Sequence, residues 1–277
     1  MNLLNIIQEI EEIDPEFQER INPRRAAIKN MTSFGSKVAM AAMPFALGTL
    51  FKKAYGQTTA GAAGILNFAL TLEYLEYNFY KQAVASGIIP VGDDLNALTK
   101  IRDHEMAHVN FLRNGLIAAG ATPVAVMTEA DFDFTAKGTF PTVFSDYDTL
   151  LAVACTFEDT GVRAYKGQAP NLMGTPFLTA ALNIHSVEGR HASHIRQMRK
   201  ARGVNIKPWI TGANDTGVAA VAASFAGEDN IIQATVNITS LNNVNGKISF
   251  NAATEAFDEP LSKDQILAIV KPFFKMM

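Results

Sequence analysis

Two short words, Glu105-x-x-His108 and Glu188-x-x-His191, recur 83 residues apart in this chain, and each follows a Glu-x6-Tyr pair. Those pairs, Glu73…Tyr80 and Glu158…Tyr165, recur 85 residues apart. On a helix, positions i and i+3 lie about 60° apart and positions i and i+7 about 20° apart. Each word therefore puts its polar groups on one face of one helix. A four-helix bundle that holds two metal ions uses this inventory: one Glu from each of two helices and a Glu-x-x-His from each of the other two. Few other folds have a use for it.

A single Glu-x-x-His carries little weight, because both residues are ordinary on solvated helix surfaces. The double occurrence carries much more, since the chain has only five His and six Tyr. Gly120 and Gly203 each lie 15 residues beyond the Glu of their word, and a Gly just past the last periodic residue is a helix stop signal. The repeat also sorts the competitors. Glu76, one turn from Glu73, corresponds to Gly161, whereas Glu73 corresponds to Glu158 and shares the Tyr seven residues on. His104 corresponds to Val187 and is placed at the flank of the site. His185 falls at its edge and His194 off the ligand face. Glu129 reads as solvated.

The faces that carry these Glu residues are otherwise apolar, as in Leu150-Leu151-Ala152-Val153-Ala154-Cys155-Thr156-Phe157 before Glu158. An isolated ionised carboxylate in such surroundings would be neutralised or paired. Arg163 and Arg190 are too few and lie on other faces of their helices. Four carboxylates bring about −4 and two divalent ions about +4, which balances with neutral imidazoles. Glu73, Glu105, His108, Glu158, Glu188 and His191 are accordingly the expected ligands. Carboxylate and imidazole together suit two Fe or two Mn ions, with Zn also compatible. Tyr80 and Tyr165 are expected to orient the carboxylates.

Apolar residues at spacings of three and four predict helices over 60–85, 95–119 and 147–166, with a fourth from Pro176 to about residue 202. Gly167 and Pro170 are expected to stop the third. Residues 121–146 lack a long periodic run and form a long crossover between the two repeats, the connectivity of a ferritin-like bundle. The fold class is thus all-α, with a bundle over 58–204 and a C-terminal extension over 205–277. In the extension, Asn-Gly between the β-prone runs 236–239 and 247–250 predicts a hairpin. Residues 227–230 read as a turn, and 262–271 as a short fifth helix ended by Pro272. This tail is expected to cap the bundle or to form a subunit contact.

With 48% apolar and 18% charged residues, the 277-residue chain can bury one sizeable core. A net charge of −3 without a basic stripe argues against nucleic-acid binding. The single Cys155 excludes a disulfide framework and any all-cysteine metal site, and it reads as a small buried hydrophobe. Residues 1–56 stand apart. Arg24-Arg25 precede the apolar run 38–51, which is shorter than the roughly 20 residues of a membrane span. Lys52-Lys53 follow it. The segment resembles a twin-arginine export signal, with Ala27 in place of the usual Phe and an unusually long leader. Export to the periplasm, with a mature chain starting near Gln57 and no span of its own, is the expectation. The alternative is a cytoplasmic N-terminal helix that packs on the bundle or on a neighbouring subunit of a homo-oligomer.

The run Leu66-Asn67-Phe68-Ala69-Leu70-Thr71-Leu72-Glu73-Tyr74-Leu75-Glu76 resembles the first helix of the ferritin-like domain family that includes bacterial ferritin-like proteins and plant desiccation-related proteins. The resemblance covers roughly residues 58–205. It extends to Ala256-Phe257-Asp258-Glu259-Pro260-Leu261, which is similar to the family's C-terminal signature. It implies a di-metal site with the same six ligands, all present here. Wider relatives include ferroxidases, manganese catalases, rubrerythrins and oxygenases. Redox chemistry with O2 or peroxide in stress protection is the functional expectation. A non-catalytic protein whose metal site stabilises the fold or sequesters metal is the alternative.

Overall fold

The computed structural model describes residues 59–276, residue 245 excepted. The expected export signal, residues 1–56, lies outside the described residues.

Helix α1 (Thr59–Ala85) and helix α2 (Asp93–Ala118) form one hairpin; α3 (Tyr147–Gln168) and α4 (Phe177–Ala201) form the other. The hairpins pack through α1 against α3 and α2 against α4. Both Glu-x-x-His helices stop as the repeat predicts. Ala121 N–H donates to Leu116 O at 2.9 Å and Val204 N–H to Arg199 O at 3.2 Å, with Gly120 and Gly203 left-handed at φ 75° and 93°. This is the six-to-one closure that a Gly at this position permits. Helix α3 opens on Asp146, whose carboxylate accepts from Thr149 N–H at 2.7 Å. Pro176 serves as the N-cap of α4.

The crossover between α2 and α3 has only one short 3-10 turn, Glu129–Asp131. It is held down by aromatic side chains. Phe79 of α1 meets Phe134, Phe144 and Phe157 at ring centroid distances of 5.5, 5.7 and 5.1 Å. The chain's end reinforces it, since Asp133 N–H donates to Phe273 O and Lys275 N–H to Asp131 O.

Helix α3 is buried almost all round because the C-terminal extension covers the face turned away from the bundle. Arg163 is fully buried there. Its guanidinium donates to the carbonyls of Glu259, Ser224 and Ala226 and pairs with buried Glu228 at 2.8 Å. The turn expected at 227–230 is present, and its Glu228 anchors Arg163. Arg196 of α4 similarly joins Asp159 to Asp215. Gly167 corrects another expectation. It does not stop α3, which runs one residue further; it makes room for the tail, because an added Cβ would overlap the Leu261 carbonyl.

The predicted hairpin is replaced by two smaller ones. Strand β1 (Ile232–Gln233) pairs with β2 (Val236–Asn237), and β3 (Asn242–Asn243) pairs with β4 (Gly246–Lys247). Two-residue loops close less chain than a pairing of 236–239 with 247–250 would, and the Asn-rich segment supplies strand residues instead of loop. After the short helix α5 (Phe250–Thr254), helix α6 (Lys263–Val270) starts on a capping box between Ser262 and Gln265 and buries Ile266 and Val270. Among the described residues no helix is long and apolar enough to cross a membrane.

Candidate metal centre

Glu73, Glu105, Glu158 and Glu188 lie near the middles of α1, α2, α3 and α4, and all four are fully buried. The helical period aims them at one region, and the antiparallel hairpins bring the four levels together. The result is two ligand groups that share two members. Glu73, Glu105, His108 and Glu188 form one; Glu105, Glu158, Glu188 and His191 form the other. Within each group one ligand atom per residue lies within 4.8 Å of the others.

The shared members divide their oxygens. His108 Nδ1 is 3.1 Å from Glu73 Oε2, 3.1 Å from Glu105 Oε2 and 3.2 Å from Glu188 Oε1. His191 Nδ1 is 3.0 Å from Glu105 Oε1, 3.2 Å from Glu158 Oε2 and 3.6 Å from Glu188 Oε2. Glu105 and Glu188 thus face both groups, while Glu73 and Glu158 each serve one. Every one of the six expected ligands is brought into this cluster.

The donor set fits a pair of cations. Glu105 Oε1, Glu158 Oε2, both oxygens of Glu188 and His191 Nδ1 are buried without a hydrogen bond of acceptable geometry, despite those short separations. The atoms point at shared spaces more than at one another. Buried polar atoms are nearly always satisfied, and five orphans in one cluster mark a place for a group that accepts their lone pairs. Among the described residues no Lys or Arg forms an ion pair with any of the four Glu side chains.

Without metal, protons must supply the balancing charge. Burial raises the Glu105 carboxyl well above the usual range, with Glu188 adding repulsion. Burial likewise lifts Glu158 to about 7, partly offset by His191. For Glu188 burial is outweighed by the two imidazoles beside it and their positive charge, and its value falls to about 2. Burial opposes a charged His191, but the carboxylates of Glu158, Glu105 and Glu188 around it carry it up to about 12; His108 is raised in the same way by Glu73, Glu105 and Glu188.

The tyrosines act across the repeat. Tyr80, of the first Glu-x6-Tyr word, donates to Glu158 Oε1 at 2.5 Å, and Tyr165, of the second, donates to Glu73 Oε1. Each holds the one oxygen of a single-group Glu that faces away from its imidazole. Burial and the adjoining carboxylate raise both hydroxyls far above the ordinary tyrosine value, so they remain O–H donors.

Glu76 stays outside both ligand groups, as the repeat predicts, yet it is buried. Its Oε1 lies 3.2 Å from where a Gly161 Cβ would sit. This mismatch in the repeat is therefore a spatial pair, with the larger residue of one half filling the space left by the smaller of the other. Burial, then repulsion from the four Glu ligands, holds the Glu76 carboxyl well above its usual range. His104 touches the site through His191, His185 Nδ1 lies 3.0 Å from Val162 O, and His194 is exposed. Glu129 pairs with Lys81 at the surface, and Cys155 is buried, its thiol donating to Asp159 at 3.4 Å. The residues that sequence reasoning missed are Glu228, as the partner of Arg163, and the crossed tyrosine pairing. A lone Arg on an apolar helix was a signal for the first; nothing local marked the second.

These helices and groups define a bundle whose buried Glu and His side chains can hold metal ions. The family model of the ferritin-like domain matches residues 61–201, just over half of the 277 residues, and the chain belongs to that family. No curated protein and no solved structure gives a significant match.

Proposed function

We propose that this protein holds two Fe or two Mn ions, with Zn a compatible substitute, through Glu73, Glu105, His108, Glu158, Glu188 and His191, and that the site reacts with O2 or peroxide. The observation that carries this reading is the division of the Glu105 and Glu188 oxygens between two imidazole-bearing groups, with five buried donor atoms left without partners. Two redox-active ions held by these six residues would supply two-electron exchange with one O–O unit.

The chain's own residues set the conditions. Tyr80 and Tyr165 fix the two outer carboxylates, so each presents its free oxygen inward. Glu76 can hold a proton beside the cluster. A cavity of about 20 Å3 has Tyr165 in its lining together with Leu66, Phe68, Phe111, Leu112 and Phe177. It has room for about one water-sized molecule.

Elemental analysis of protein from its native host tests the metal reading: about two Fe or Mn per chain, abolished by Glu105→Ala, is expected. Loaded protein that neither oxidises Fe(II) nor consumes peroxide would leave the metal reading standing and overturn the redox one. Export forms part of the same proposal. Replacing Arg24 and Arg25 by Lys should retain the chain in the cytoplasm, as read by subcellular fractionation.

A further inference from the structure

His104, like Glu76, is a polar neighbour of the cluster that the repeat does not duplicate. It stands a turn before His108 on α2, but its ring faces α4. His104 Nδ1 lies 2.9 Å from His191 Nε2. The ring planes are 14° apart and the ring centres 5.2 Å apart. Since the two nitrogens are much closer than the centres, they lie between them. The rings meet edge to edge in nearly one plane, the arrangement of an N–H···N hydrogen bond.

The other nitrogen of His191, Nδ1, faces Glu105, Glu158 and Glu188. A neutral imidazole that gives its Nδ1 lone pair to a metal carries its proton on Nε2. That proton has an acceptor here, His104 Nδ1. A hydrogen bond to the outer nitrogen of a metal-bound imidazole fixes its tautomer and ring orientation and raises its basicity. The position equivalent to His104 in the second half is Val187, which has no side-chain acceptor. His108, the counterpart of His191, is also the more exposed of the two, at 11% against 6%.

We infer that His104 is a positioning residue that makes the two metal positions unequal, the ion held by Glu158 and His191 being bound more tightly than the ion held by Glu73 and His108. This rests on the di-metal reading above. Among the residues around the two groups, this imidazole–imidazole contact separates a retained ion from an exchangeable one.

Zinc(II), which does not change oxidation state, is the probe for calorimetric titration of the full chain. Wild type should bind two ions with affinities at least about tenfold apart. His104→Leu should weaken the tighter by roughly 10- to 100-fold, the usual cost of losing such a partner. His104→Asn, which keeps an acceptor, should restore part of the loss, and Val187→His should tighten the weaker ion. Long-range 15N–1H spectra of zinc-loaded wild type should place the His191 proton on Nε2, a reading that needs no substitution. Two ions of equal affinity, a tight ion indifferent to His104→Leu, or a His191 proton on Nδ1 would each overturn the inference. Protein that binds no zinc would instead sink the di-metal reading on which it rests.

Discussion

Stripping the metal should cost this protein a large part of its stability. The metal-free cluster leaves Glu105 Oε1, Glu158 Oε2, both Glu188 oxygens and His191 Nδ1 buried without partners. An unsatisfied buried polar group costs about 1–3 kcal/mol, so five imply on the order of 5–15 kcal/mol. Protonation within the cluster relieves part of this, which favours the lower end, about 5 kcal/mol. At about 2–4 °C per kcal/mol for a domain of this size, the expected fall in Tm is roughly 10–20 °C. The pH dependence adds a second signature. The Glu158 carboxyl is raised from 4.5 to about 7 in the fold. Its contribution is therefore full below pH 4.5 and lost as pH rises through 7. A shift of that size corresponds to at most about 3.5 kcal/mol. Glu188, lowered to about 2, acts oppositely, but its contribution is lost only as pH falls from 4.5 through 2. The raised His191 makes its full contribution only below pH 6.5 and loses it progressively as pH rises from there toward 12, which adds to the loss in the upper part of that range. Between pH 5 and 8 the metal-free protein should thus lose stability while the loaded protein changes little, and loading should release protons. Differential scanning calorimetry of loaded, chelated and reloaded samples at pH 5.5 and 8 measures all of this. Chelated protein that is metal-free by elemental analysis and unfolds at the same temperature as loaded protein would refute the reasoning.

Other substitutions probe the surroundings of the site. Tyr165→Phe strands Glu73 Oε1 in the core, and chemical denaturation should show a loss of about 1–3 kcal/mol. Gly167→Ala forces a Cβ into the Leu261 carbonyl, so the variant should expose the C-terminal tail to limited proteolysis well before the bundle is cut. Arg163→Met leaves Glu228 buried without its cation, which should cost about 3–5 kcal/mol in a denaturant titration. Adding Glu228→Gln should recover part of that loss.

The four helices and all six clustered side chains were legible in the sequence because both depend on short-range periodicity. Glu105 and His108 must share a face whatever else the chain does, and the recurrence of the pattern removed Glu76 from the ligand set. What depends on how the hairpins meet was not legible. Seven-residue spacing puts Tyr80 on the face of Glu73, yet its hydroxyl reaches Glu158 on another helix. Gly167 looked like a stop because its lack of a side chain serves the backbone of Leu261, a residue 94 positions away in the chain. The hairpin pairing failed where strands of two residues left almost no pattern to read.

The crossed tyrosine bonds bear on how this site comes into being. Each helical hairpin carries a hydroxyl that it cannot use itself and a carboxylate that it cannot steady itself. The same exchange would be met by two copies of one hairpin related by a two-fold axis, each lending its Tyr to the other. Neither half alone completes a docking place for an ion. Under the proposed di-metal reading, capture of the second ion would be a readout of correct assembly, and a misregistered bundle should hold ions poorly even with every ligand intact.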